Sequence, residues 1–227
     1  MKHIILLGDS IFDNGVYVKS GEPDVTTQLQ GLLDEGDKVS MLAHDGDVIN
    51  DIEEQLKKMP DDTTHLVISI GGNDTLGILA EFSRKTENIG DSFLKVYDLK
   101  KSFESDYIKM LTKALSFNLP TTLCTIYHPC FNHSETERMS DYMSFGVSND
   151  TLQKMAMAAL PIFNDIIFQE AVNFNIPVID LRLIFNDESD YANPIEPSAI
   201  GGLKMVKVIK KVVYEHDFSS NNTIVYK

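Results

Sequence analysis

The chain has no tryptophan, only two cysteines in 227 residues, and few basic side chains, with 20 Lys and Arg against 34 Asp and Glu. Each shortage excludes something. Two cysteines, Cys124 and Cys130, are too few for the disulfide framework of a small secreted scaffold and fit a reducing compartment. A formal net charge of -14 repels nucleic acid and anionic membrane surfaces, so neutral or cationic partners are favoured. No run approaches the ~20 apolar residues that a bilayer-spanning helix needs. The apolar opening is too short for a signal-peptide core. These readings predict a cytoplasmic protein without a membrane span. No internal repeat, low-complexity tract or linker divides the chain, and 43% hydrophobic residues suffice for one core. Residues 1–227 are therefore expected to form one domain.

What the sequence does contain is a series of short apolar runs separated by helical periodicity. Runs 4–7, 38–43, 65–70, 121–126 and 177–181 read as five buried strands. Asp24 is placed to cap a helix bearing Val25, Leu29, Leu32 and Leu33. A second helix carries Val48, Ile49, Ile52, Leu56 and Met59 on one face and stops at Pro60. Residues 88–118 predict one or two amphipathic helices with a break near Asp98, and residues 151–173 a helix kinked at Pro161. Ser198 caps the last helix, and 223–226 either adds an edge strand or frays. Buried strands alternating with helices require right-handed crossovers, hence a parallel sheet covered on both faces. The loop 127–150 is long enough to suggest a binding or lid role.

Two strand ends carry residues capable of chemistry. The first run breaks into Gly8-Asp9-Ser10, followed by Asp13, and such a turn presents a hydroxyl at the end of a buried strand. Ser10 is the candidate nucleophile, with Asp9 and Asp13 bracing its turn. The third run breaks into Gly71-Gly72-Asn73-Asp74, and the second into His44-Asp45-Gly46-Asp47. Taken singly, Gly46 reads better as a turn glycine than as a catalytic part, and Asn73 can be read as a helix cap.

Together and in this order, Gly8-Asp9-Ser10 with Asp13, Gly46, and Gly71-Gly72-Asn73-Asp74 resemble three of the four sequence blocks of the SGNH, or GDSL, hydrolases. The resemblance implies an α/β protein, a three-layer α/β/α sandwich with a flavodoxin-like, five-stranded parallel sheet of order 2-1-3-4-5. Ligands of such sheets bind beyond the carboxyl ends of the strands. It also implies a serine esterase in which Ser10 attacks a small carboxylic ester and carries the acyl group. The Ser10 and Gly46 amides and the Asn73 carboxamide would then hold the oxyanion. The expected substrate is a small neutral ester or acetylated compound, and no cofactor is called for.

The fourth block departs from the family. Where the family has Asp-x-x-His-Pro, this chain has Asn193-Pro194-Ile195-Glu196-Pro197. Glutamate, with a pKa of about 4.3, is a weaker base than imidazole at about 6.5, although burial can raise it. Three readings stay open. Glu196 is the base; or a histidine from another loop replaces it, His44 beside Gly46 or His128 and His133 after the fourth strand; or hydrolysis is lost and an SGNH-like pocket only binds a ligand. Metal chemistry is a further alternative. His128, Cys130 and His133 match no standard zinc spacing, whereas Asp9, Asp13, Asp74 and Glu196 could gather around a hard cation.

Overall fold

The computed structural model describes residues 1–79, 81, 85–133 and 147–227. Residues 134–146, most of the long loop singled out in the sequence, lie outside the described residues. Six parallel strands, β1 (His3–Gly8), β2 (Lys38–Met41), β3 (His65–Ser69), β4 (Thr121–Cys124), β5 (Val178–Ile179) and β6 (Val225–Tyr226), form one sheet in the order 2-1-3-4-5-6. The first five follow the expected order, and the sheet has one strand more than expected. β5 would otherwise leave buried backbone groups at an open edge. Instead the Val178 and Asp180 amides donate to the Ile224 and Tyr226 carbonyls, each at 2.9 Å, and the Thr223 hydroxyl anchors the tail on the Ala171 carbonyl at 2.9 Å.

Alternation along the buried strands divides the core between two faces. Ile5, Leu7, Leu66 and Ile68 point toward α2 (Ile52–Leu56), α4 (Ile89–Leu115) and α5 (Asn149–Phe174). Ile4, Leu6 and Val67 point toward α1 (Val25–Leu32) and α6 (Ala199–Glu215), which also pack on each other. Asp24 and Ser198 cap α1 and α6 as their positions suggested, accepting from Thr27 at 2.7 Å and from Ile200 and Gly201 at 3.1 and 3.2 Å. α4 runs unbroken through Asp98, because its core contacts, Phe103, Tyr107 and Leu111 among them, all fall in its second half and nothing forces a turn in the first. α5 continues through Pro161. Among the described residues it is the one helix long and apolar enough to match a membrane span, an apolarity the sequence reading did not anticipate. Here its Leu152, Ala156, Phe163 and Ile167 are buried in the core against the sheet.

Two features set the site. Gly8 and Ser69 are register partners at the carboxyl ends of β1 and β3, so the turns that follow leave the sheet side by side. Gly8 has a φ of +153°, and a Cβ there would lie 1.9 Å from the Ser69 carbonyl oxygen. Only glycine allows the two strand ends to approach so closely. α3 (Gly72–Leu79) starts directly after β3.

Candidate active site

The Ser10 turn is clamped from three sides. Gln55, buried on α2, accepts from the Gly8 amide at 2.9 Å and donates to the Gly8 carbonyl and to Asp47 Oδ2, each at 2.7 Å. Asp9 Oδ1 accepts from the Ile11 amide at 3.1 Å, tightening the turn around Ser10. Asp13 Oδ2 accepts from the Asp45 amide at 3.0 Å, which ties this turn to the loop holding Gly46. The same loop is held from α3. Asn73 Nδ2 donates to the Asp47 carbonyl at 2.9 Å, and Asp74 Oδ2 accepts from the Ile49 amide at 3.1 Å.

The stretch before α6 brings in the carboxyl. Asn193 Oδ1 accepts from the Ile195 and Glu196 amides, both at 3.0 Å, and so forms a turn at the position where the family has an aspartate. The Tyr127 hydroxyl donates to the Ile195 carbonyl, and Asn14 Nδ2 donates to the Pro197 carbonyl at 3.1 Å. Glu196 is thereby held 5% exposed in the cavity it shares with Ser10, close enough for the hydroxyl to favour its ionised form, and Glu196 Oε2 has no hydrogen-bond partner. Burial pushes Glu196 up to about 8, with the Asp9 charge adding and the nearby Ser10 hydroxyl opposing. Burial also raises Asp9 to about 7 and Asp74 to about 6, each opposed by the backbone amide it accepts from.

Ser10, Asn73, Glu196 and Asp9 line one cavity that encloses about 740 Å³, its open mouth included. Gly46 is not among the described lining residues. It is exposed, has a φ of +88°, and immediately precedes the Asp47 carbonyl that Asn73 binds. The three histidines offered as replacement bases, His44, His128 and His133, are not among the residues lining the cavity either. The His44 ring is 76% exposed and bonds the Asp45 carbonyl at 2.9 Å. His128 is half-buried, and desolvation and Arg182 lower its pKa. Among the described residues no three His, Cys, Asp or Glu side chains are grouped closely enough to hold a metal ion, so neither metal set proposed from sequence converges there. Sequence reasoning missed Gln55, Asn14 and Tyr127. Gln55 left one trace: it falls between Ile52 and Leu56 on the buried stripe of its helix.

No family model and no curated protein matches the sequence. Solved structures do match its fold. An extracellular lipase from Streptomyces rimosus is 15% identical with a TM-score of 0.64, the alignment covering 93% of this chain and 99% of that one. A member of the lipolytic G-D-S-L family from Veillonella parvula is 16% identical with a TM-score of 0.57, covering 95% and 98%. A carbohydrate acetylesterase family member from Sinorhizobium meliloti is 14% identical with a TM-score of 0.59, covering 94% and 97%. The chain therefore has the fold shared by these lipases and acetylesterases.

Proposed function

We propose that the protein is a serine hydrolase of carboxylic esters, with Ser10 as nucleophile and Glu196 as general base. The observation that carries this reading is that Ser10, Asn73 and Glu196, far apart in sequence, line the same cavity beyond the sheet. Ser10 Oγ attacks the ester carbonyl carbon as its proton passes to Glu196. The oxyanion is received by the Ser10 amide and by Asn73 Nδ2, which line the cavity, with the Gly46 amide drawn in from its rim. Collapse expels the alcohol, which takes the proton from Glu196 and leaves an acyl-Ser10 ester. Water then adds, its proton again going to Glu196, and the carboxylic acid departs with Ser10 regenerated. A carboxyl raised to about 8 accepts a proton at least as readily as an ordinary imidazole, which accounts for a site without histidine. Asp9, Asp45 and Asp47 nearby favour a neutral or cationic substrate. In this proposal residues 1–227 act as one domain in the cytoplasm.

The test is hydrolysis of p-nitrophenyl acetate and butyrate by the parent protein and by Ser10→Ala, Glu196→Gln and Glu196→His. Ser10→Ala is expected to fall to background and Glu196→Gln to lose about a hundredfold to ten-thousandfold. A parent whose activity survives Ser10→Ala overturns the proposal. An inactive parent revived by Glu196→His favours instead a ligand-binding protein on the same scaffold.

A further inference from the structure

We infer that the cavity takes a medium-length acyl chain, of about eight carbons, lying between α3 and α5. This deepens the esterase reading above and rests on it, and it departs from the acetyl-sized substrate suggested by sequence. One wall of the cavity is the α3 stripe Asn73, Leu76 and Leu79, and the facing wall is the α5 stripe Ala156, Ala159, Leu160 and Phe163. At 1.5 Å per residue both stripes run for ~10 Å. An extended chain advances roughly 1.2 Å per bond, so that length accommodates about eight bonds. Ala156 and Ala159 supply the width, since their methyl groups stand where larger side chains would fill the space.

The polar groups are confined to one end. Ser10, Asn73, Asp9 and Glu196 gather at the strand ends, whereas Thr75, which also lines the cavity, already donates its hydroxyl to the Gly72 carbonyl at 2.8 Å. The helical walls thus present methyl, isobutyl and phenyl groups to whatever enters. A sugar or other polyhydroxylated moiety placed there would bury hydroxyls without partners. A hydrocarbon chain needs none and gains from each methylene removed from water. The acyl part of the ester is therefore assigned to the apolar end and the leaving alcohol to the acidic end.

The test is kcat/KM for p-nitrophenyl esters from acetate to dodecanoate, in the parent and in Ala159→Met and Leu76→Phe, which narrow the cavity from opposite walls. Alongside it, binding of methyl octanoate to Ser10→Ala is followed by calorimetry. The expected result is a rise of up to about fourfold per added methylene to about octanoyl, then a plateau or fall. Both narrowing variants should cut the octanoate-to-acetate ratio at least tenfold, a ratio that a general loss of folded protein leaves unchanged. Robust hydrolysis with a flat or falling chain-length profile overturns this inference and leaves the esterase reading intact. If no ester is cleaved, the esterase reading fails, and calorimetry decides the pocket by itself. Methyl octanoate binding that Ala159→Met abolishes supports the acyl pocket, and no binding overturns it.

Discussion

Glu196 and Ser10 line the same cavity, and Glu196 Oε2 is buried there without a hydrogen-bond partner. An ionised carboxylate is poorly solvated in that position, and this is why burial outweighs the opposing influence of the nearby Ser10 hydroxyl and lifts the group to about 8. The same residue is thus protonated over most of the neutral range and becomes a strong acceptor only when the proton leaves.

A pH dependence follows directly. If deprotonated Glu196 is the working base, kcat/KM for a p-nitrophenyl ester rises with pH and reaches half its limit at about pH 8. Glu196→His should move that midpoint toward about 6.5. A parent midpoint below pH 6 removes Glu196 from the role of base.

Stability should change over the same range, in the opposite sense. Glu196 and Asp9 have folded-state values of about 8 and 7, above ordinary values of 4.5 and 3.8, so between those limits the folded chain holds protons that the unfolded chain has released. Their contribution to stability is full at low pH and is lost as pH rises through the folded values. Histidines with lowered values, such as His65 at about 4, act in the other direction, but only below about pH 6.5. From pH 6.5 to 8.5 the Tm is therefore expected to fall by several degrees. Glu196→Gln should flatten that slope, and an equally steep slope in the variant would refute the assignment.

The parts of this molecule that were legible in the sequence are those fixed by short-range pattern. The strand ends at Gly8 and Gly71, the caps Asp24 and Ser198 and the first five strands follow from local apolar runs and turn residues. β6 was left open because two paired residues carry no periodicity. The break anticipated near Asp98 does not occur, because a polar half-turn in a helix signals solvent as readily as a terminus. The basicity of Glu196 was out of reach, since a glutamate acquires it only from neighbours that burial supplies, and Ser10 is 186 positions away.

Asn73 separates an oxyanion donor from a loop clamp. A carboxamide carries two N–H groups, and the Asp47 carbonyl uses one at 2.9 Å. If the other serves the oxyanion, Asn73→Ala should lower kcat about a hundredfold to a thousandfold with KM changed only a few fold. Asn73→Asp should be worse, because it sets a negative charge beside the developing one. A clamp alone predicts a loss that tracks the drop in Tm, with Ala and Asp alike.

Gln55 is expected to act as a positioning residue for Ser10 from a distance. It pairs with both backbone groups of Gly8 and with Asp47, so it joins the serine turn to the loop that Asn73 holds. Gln55→Leu fills similar space but leaves the Gly8 amide buried and unpaired, while the Gly8 carbonyl keeps the His44 amide at 3.2 Å, a destabilisation of about 1–3 kcal/mol. Gln55→Glu, when ionised, keeps an acceptor for the amide but loses both donations and brings a negative charge to Asp47, so its stability should decline further as pH rises. In both variants the surviving folded protein should show a lower kcat with KM little altered, since the displaced group is the nucleophile rather than the cavity wall. An unchanged kcat per folded molecule would make Gln55 a purely structural clamp.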